Sequence, residues 1–184
     1  AAGLGEAADV PAVTISRVGE GAAASGVESG ETESVAADRH TPRLDELVVV
    51  DLSSLWAGPL CAHLLGLGGT QVIKVESWQR PDGARRGPKR FYDLLHGGHQ
   101  SVAFDFDDPD QRRALRELVE HADVVIEASR PRALRALGID RERIMATTDR
   151  GHGPRVWLSI TAHGRSDDQS RIGFGDDAAV GGGL

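Results

Sequence analysis

The chain has 184 residues, a formal net charge of −7 and a hydrophobic content of 40%. These values allow one domain with a real core, and they argue against extensive nucleic-acid binding, which needs a basic surface. The single cysteine, Cys61, excludes a disulfide framework, and no apolar run is long enough to span a bilayer. No signal peptide is recognisable, so a cytoplasmic protein is the expectation.

Residues 1–45 differ in composition from the rest of the chain. Residues 19–37 form a low-complexity, acidic stretch that cannot bury enough apolar surface to offset the entropy of ordering, which predicts a flexible linker over 19–45. Before it, residues 10–15 (VPAVTI) are compatible with a short strand. The sequence begins with alanine and ends in VGGGL, which predicts a part of a longer protein.

The stretch 47–76 is predicted to form a strand, a helix and a second strand. Residues 47–52 are rich in valine, as is typical of a strand buried on both faces. The helix is predicted to begin near Ala57, because Pro59 is tolerated in a first turn. Its broad apolar side is expected to face the core and consists of Leu60, Leu64, Leu65 and Leu67. A second strand at 71–75 makes a parallel βαβ unit.

The turn 53–59 follows the first strand at its carboxyl end, where open parallel sheets bind ligands. Gly58 allows the backbone or a ligand to approach closely. Two interpretations stay open: the helix start receives an anion such as a phosphate, or small residues let the helix pack closely on the sheet. Neither a G-x-G-x-x-G fingerprint nor a Walker loop is present.

A cluster of positive charge follows the second strand, within a predicted loop at 77–98. The cluster consists of Arg85, Arg86, Lys89 and Arg90. On an acidic chain it either attracts phosphate groups or forms a solvated loop surface, and the residues themselves favour neither. A short helix that anchors the loop is predicted from Phe91, Leu94 and Leu95.

A second strand–helix–strand unit is predicted at 101–127. The strand 101–106 leads to a helix start at which Asp108 caps, Pro109 takes the first position and Gln111 closes a capping box. A buried strand follows at 123–127. The repeated pattern predicts an α/β fold, a Rossmann-like parallel sheet with flanking helices, preceded by the low-complexity linker.

Residues 128–130 lie after that strand, and Ser129 is predicted to cap a helix over 131–137. A helix at 140–146, a strand at 155–161, a loop at 163–175 and a helix start at Asp176 complete the pattern. In a parallel sheet, Arg130 is expected at the same edge as Trp56.

Residue types at the strand ends suggest candidates but define no site. The candidates are Ser53, Ser54, Ser129, Arg130, His163, Asp176 and Asp177. The histidines His96 and His99 lack the partners of a metal site, and no nucleophile elbow is present. Adjacent acids at a helix start favour capping over catalysis for Asp176 and Asp177.

Three stretches, in this order, carry a resemblance to a known family. They are DLSSLWAGPLCAHLLGLGGTQVIKVE (51–76), GGHQSVAFDFDDPDQRRALRELVEHADVVIEASRPRALRALGID (97–140) and VWLSITAHGR (156–165). Together they resemble the family III CoA transferases, the group that includes formyl-CoA transferase, carnitine CoA-transferase and α-methylacyl-CoA racemase.

The resemblance implies an incomplete CoA-binding domain over 46–184, with residues 1–18 as a remnant of the family's small domain. It also implies acyl-CoA and a carboxylic acid as substrates, no covalently bound cofactor, and a homodimer for the full protein. The CoA contacts that it implies are Trp56, Ala57, Phe104, Asp105, Phe106, Asp107, Ala128, Ser129, Arg130 and Phe174.

The chain departs from the family pattern at several contacts. Trp56 stands where formyl-CoA transferase has glutamine, Ser77 where a basic residue is frequent, and Ala136 where the family has arginine. Phe174 and Gly175 stand where the racemases have a His–Asp pair, which disfavours racemase chemistry. The family's catalytic aspartate falls in register beyond Leu184, so no catalytic residue is assigned within the chain.

Two alternatives from other classes stay open. A non-catalytic CoA-binding or scaffold relative is favoured by Ser77, Ala136 and Gly175. An NAD-type dehydrogenase domain is the other alternative, and the missing glycine fingerprint argues against it.

Overall fold

Five parallel strands form one sheet at the centre of the described chain. The computed structural model describes residues 42–148, 153–162, 173–181 and 183. The predicted remnant at 1–18 and the linker up to residue 41 lie outside these residues. The last residues assigned to the linker include a short 3₁₀ helix, Leu44–Glu46, and the assigned domain boundaries stay a prediction.

The sheet has the order β3-β2-β1-β4-β5, with every neighbouring pair parallel. Its strands are β1 (Val48–Asp51), β2 (Gln71–Ser77), β3 (Gln100–Phe104), β4 (Val124–Glu127) and β5 (Val156–Ser159). The predicted parallel α/β sheet is therefore confirmed, and observed strand ends lie within a few residues of the predicted ones. Because all strands run the same way, their carboxyl ends share one edge.

Within the described residues, six α-helices connect or follow these strands. They are α1 (Ala57–Leu67), α2 (Lys89–His96), α3 (Pro109–Glu120), α4 (Pro131–Ala136), α5 (Arg141–Thr148) and α6 (Gly175–Gly181). The predicted loop at 77–98 also holds a 3₁₀ helix, Gly83–Arg86. In the described part of the chain, no helix has the length and apolar character needed to cross a membrane.

Both faces of the sheet carry buried apolar side chains. Along β1, Val48 and Val50 belong to a large cluster with Leu115 and Val119 of α3. Val49 points to the other face and joins a smaller cluster with Ala62 of α1. This alternation within a continuous valine run is what a strand covered on both faces requires.

The leucines of α1 were expected to face the core, and most of them do not. Leu60, Leu64 and Leu67 are 38%, 60% and 72% exposed, whereas Gly58, Pro59 and Ala62 are the buried residues of the helix. Leu65 is only partly buried. The small residues allow the helix axis to approach the sheet closely, and the larger side chains are then turned outward.

Cys61 lies on α1 next to the smaller cluster, partly buried. Burial raises the pKa of its thiol, and the nearby charge of Asp51 raises it further. A thiol with a raised pKa is a poor nucleophile at neutral pH, which favours a packing role for Cys61.

The N-cap residue predicted from the sequence is confirmed for α3 and is wrong for α4. Asp108 caps α3, accepting the N–H groups of Asp110 (2.8 Å) and Gln111 (3.4 Å). Gln111 does not close the predicted capping box, because its side-chain oxygen accepts the N–H of Asp105 at 2.7 Å. At α4 the cap position belongs to Arg130, without a side-chain cap bond, so the predicted Ser129 cap is wrong.

A pair of leucine substitutions distinguishes the core-facing helix from the outward leucines of α1. Leu115→Ala on α3 removes a fully buried side chain, and we expect a loss of about 2–5 kcal/mol in the free energy of unfolding. The matched change Leu64→Ala removes an exposed side chain and should cost about 0.5 kcal/mol or less. Urea denaturation of both variants measures this, and equal losses would contradict the assigned orientation of α1.

Candidate functional site

The turns after β1 and β4 lie side by side, because these strands are neighbours in the sheet. Trp56 precedes α1 and is 64% exposed, and Ala57 is the exposed first residue of that helix. Ala128 and Arg130 are exposed and Ser129 is half-buried in the turn that leads to α4. The fold thus brings these five sequence-predicted contacts to the same edge.

The predicted contacts at 104–107 lie at the carboxyl end of β3, which β2 separates from β1. Phe104 and Phe106 are partly buried against the large core cluster, so both rings have a packing role. The Asp105 carboxylate accepts hydrogen bonds from the Gln79 amide and from the Asp107 N–H (2.9 Å for the latter). The two aspartates therefore shape this turn as well as facing solvent.

Phe174 lies outside the sheet, directly before α6, and its side chain is 72% exposed. Its N–H donates to Asp177 Oδ2 at 2.9 Å. This bond caps the helix start and supports the structural interpretation of the adjacent acids at 176–177.

Gly58 is required by close packing of the helix on the turn. A Cβ added there would lie 2.0 Å from Ser53 Oγ. Ser53 is itself fixed, since its hydroxyl and its N–H (2.9 Å) both donate to Asp51 Oδ1. Of the two interpretations given for this turn, the close packing is present, and the α1 start has no side-chain cap.

A buried ionic cluster lies beneath the same turn and was missed by sequence reasoning. Asp51 and Lys74 are directly paired in the register of β1 with β2. The Lys74 ammonium lies 3.5 Å from Asp51 and 3.3 Å from Asp82, donates to the Ser53 carbonyl, and is 1% exposed. The sequence signal was a lysine inside the apolar strand VIKVE, since a lysine buried in a sheet needs partners.

A second ionic group, Glu76 with its partners, extends the cluster toward α2. Glu76 accepts hydrogen bonds from the Asp82 N–H (2.8 Å), from Tyr92 (3.1 Å) and from the Arg85 guanidinium, which also lies 4.2 Å from the Tyr92 ring centroid. Burial alone would raise the pKa of Glu76, but the Arg85 and Asp82 hydrogen bonds outweigh it and lower the pKa to about 2. Burial and the Glu76 charge raise the pKa of Tyr92.

Of the four basic residues clustered at 85–90, two form ion pairs within the fold and two are exposed to solvent. Arg85 is committed to Glu76, and Lys89 pairs with Asp93 one turn along α2. Arg86 and Arg90 are exposed and have no carboxylate partner among the described residues. Phe91 packs edge-on against Trp56, with ring centroids 5.9 Å apart, so the start of α2 lies beside the turn after β1.

Three histidines cluster where α1 meets α2. The ring centroid of His99 is 6.1 Å from that of His63 and 5.9 Å from that of His96. His96 is buried, and neither ring nitrogen has a hydrogen-bond partner. Burial, helped by the Lys74 charge, lowers the pKa of His96 to about 4. Within the described ranges, no three His, Cys, Asp or Glu side chains are arranged to hold a metal ion.

Comparison with known sequences connects this geometry to a family. The sequence profile of CoA-transferase family III matches residues 44–184, and the chain therefore belongs to that family. It is 28% identical over 149 residues to succinyl-CoA–D-citramalate CoA-transferase from Chloroflexus aurantiacus, covering 77% of this chain and 36% of the relative. It is 32% identical over 143 residues to the β subunit of succinyl-CoA–L-malate CoA-transferase from the same organism, covering 73% and 34%.

Solved structures agree with this assignment. A CaiB/BaiF family protein from Brucella suis is 32% identical with a TM-score of 0.61, covering 71% of this chain and 36% of that chain. A hypothetical protein from Mycobacterium tuberculosis is 27% identical with a TM-score of 0.59, covering 70% and 36%. The chain spans about a third of the length of the relatives that it matches.

Removal of the buried ammonium should destabilise the fold strongly. Lys74→Met leaves the buried Asp51 and Asp82 carboxylates uncompensated, and we expect a loss of about 3–5 kcal/mol in the free energy of unfolding. The control Lys89→Met breaks a solvent-exposed pair and should change stability little. Urea denaturation measures both, and a Lys74→Met variant as stable as the control would show that Lys74 is not the counter-charge.

The buried His96 ring should make stability depend on pH. The ring stays neutral in the folded chain down to about pH 4, whereas in the unfolded chain it takes up a proton below about pH 6.5. Its contribution to stability is therefore complete above pH 6.5 and is lost as the pH falls toward 4, by at most about 1.4 kcal/mol per pH unit.

His96→Phe should flatten this part of the stability–pH profile in thermal or urea unfolding. The control His121→Gln removes an exposed histidine and should leave the slope unchanged. A wild-type slope that survives in His96→Phe would assign the pH dependence to other groups.

Proposed function

We propose that this chain is the CoA-binding part of an acyl-CoA transferase that moves CoA between carboxylic acids. Its membership in CoA-transferase family III supports this, as do the names of its relatives, which include transferases for succinyl-CoA and for formyl-CoA with oxalate. The observation that carries the proposal is the common edge of β1 and β4, where the uncapped start of α1 follows one strand and the exposed Arg130 follows the other.

The chemistry of this edge suits a ligand with phosphate groups. The N–H groups at the start of α1 carry the positive end of the helix dipole. Arg90, next to the Phe91 ring that packs on Trp56, supplies one guanidinium, and Arg130 at the start of α4 supplies another. A guanidinium group binds a phosphate through two parallel N–H···O hydrogen bonds. We therefore propose the diphosphate of CoA as the ligand.

Trp56 would contribute through its exposed indole. It stands at the turn between β1 and α1, braced on one side by Phe91. An aromatic face at this position can pack against the ligand's uncharged parts. The remaining predicted contacts, at 104–107 and Phe174, are also part of this proposal.

The transfer itself is proposed to use an aspartate that, by resemblance to the family, is expected beyond residue 184. Its carboxylate would attack the thioester carbonyl and expel the CoA thiolate, forming a mixed anhydride. The thiolate would then attack the aspartyl carbonyl, release the first carboxylate and give an aspartyl-CoA thioester. The acceptor acid would reverse these two steps and leave as the new acyl-CoA. A homodimeric, cytoplasmic full protein is part of the same proposal.

The second candidate is a non-catalytic CoA-binding relative. Gly175, an open position with no side chain, and the exposed Phe174 before it offer no group that moves a proton. Assay of a protein that contains this chain at its full length separates the two candidates. CoA exchange between an acyl-CoA and a free acid supports the transferase, whereas CoA binding without exchange supports the second candidate.

Calorimetric titration of the full chain with CoA and acetyl-CoA tests the binding proposal. Arg90→Ala and Arg130→Ala each remove one charge-assisted hydrogen bond, and we expect each to weaken binding roughly ten- to a hundredfold. Binding should also weaken as the salt concentration rises.

The matched control is Arg43→Ala, which removes an exposed arginine before β1, at the opposite edge of the sheet. It should bind CoA as the unchanged chain does. A folded, monodisperse chain that binds neither CoA nor acetyl-CoA would overturn the proposal.

A further inference from the structure

The turn between β1 and α1 contains an unfavourable backbone conformation. Leu55 has φ +72°, and it is the one non-glycine residue with positive φ in the part of the chain that the structure describes. A bulky side chain is disfavoured in this left-handed region, because its Cβ crowds the backbone. Such a conformation persists only when surrounding contacts hold it in place.

The contact that holds it comes from a different loop. The Leu55 N–H lies 3.1 Å from Asp82 Oδ1 and 3.3 Å from Asp82 Oδ2. Asp82 is 4% exposed and also accepts the N–H of Ala84 at 2.9 Å. A bond from an N–H to a buried carboxylate is among the stronger hydrogen bonds of a protein.

Asp82 forms an ion pair with Lys74, and this pair fixes the turn at two points. Lys74 lies 3.3 Å from Asp82 and donates to the carbonyl of Ser53, two residues before Leu55. Both the carbonyl on one side of the turn and the N–H on the other are therefore tied to one buried pair of charges. The direction in which the chain enters α1 follows from these two bonds.

We infer that Asp82 is a positioning residue: its buried carboxylate holds Leu55 in the left-handed conformation and thereby orients Trp56 and the α1 start toward the ligand. The inference rests on the proposed function for the identity of that ligand as CoA. It does not rest on it for the conformation of the turn, which exists without any ligand.

Asp82 also connects the loop after β2, which carries Arg85 and Arg86, to the turn between β1 and α1. Its own N–H donates to Glu76 at 2.8 Å, and Glu76 anchors Arg85. One residue thus joins the loop that carries Arg86 to the turn that carries Trp56. The turn that carries Trp56 is therefore held in a fixed conformation before a ligand arrives, which reduces the ordering needed on binding.

The test compares Asp82→Ala and Asp82→Asn with the unchanged full chain, with two readouts. The first is hydrogen exchange of the Leu55 amide by NMR without ligand, with the Val50 amide of β1 as an internal reference. The second is calorimetric affinity for CoA. Asp82→Ala should speed Leu55 exchange at least tenfold, leave Val50 protected and weaken CoA binding at least tenfold. Asp82→Asn keeps an acceptor oxygen and should fall between.

A rescue experiment separates the backbone role from a general effect of charge. Glycine adopts positive φ without steric cost, so Leu55→Gly in the Asp82→Ala background should recover part of the lost CoA affinity. The control Asp93→Ala removes an exposed carboxylate on α2 and should leave Leu55 exchange unchanged. Absence of any rescue would overturn the positioning role and leave only an electrostatic one.

The remaining outcomes are equally decisive. Folded Asp82 variants with unchanged Leu55 exchange would overturn the inference, and so would global unfolding of both variants, which would give Asp82 a role in stability alone. If the unchanged chain binds no CoA, the proposed function fails, while the exchange readout still decides whether Asp82 holds the turn.

Discussion

The buried ammonium of Lys74 is the interaction on which the functional edge depends. It lies on β2 between the apolar residues Ile73 and Val75. The carboxylates of Asp51 and Asp82 and the Ser53 carbonyl enclose it. Loss of hydration is costly for each of these charges, and only their mutual contacts make the arrangement tolerable. Because Lys74 lies on β2 and its carboxylate partners come from β1 and from the loop after β2, one ion cluster fixes three segments.

This cluster explains why the strand ends form a shaped edge. Asp51 holds Ser53, and Ser53 leaves room only for glycine at position 58. Glu76 continues the network outward and engages Arg85, so part of the loop's positive charge is structural. Exposed arginines remain for a ligand. Arg85 has a structural role because it reaches the buried Glu76 carboxylate. Arg86 and Arg90 are exposed and stay available to a ligand.

The first helix illustrates a general limit of apolar patterns. Its sequence is apolar on several sides, and the side with the largest residues is not the one that packs on the sheet. Gly58 and Ala62 are buried because small residues permit close approach, while Leu64 and Leu67 are exposed. A period of 3.6 residues identifies a helix, but an excess of apolar residues leaves its orientation undetermined.

The amino-acid pattern was enough to predict the helices and strands along the chain and their parallel arrangement, because valine runs and helix caps such as Asp108 are local signals. It also determined which turns lie at the carboxyl edge, including those at Trp56 and Arg130, since parallel strands leave no other arrangement. The enclosure of Lys74 by Asp51 and Asp82 became evident from the folded chain alone. Those contacts join residues distant in sequence, and the choice of partner depends on strand register and loop path, which no local pattern encodes.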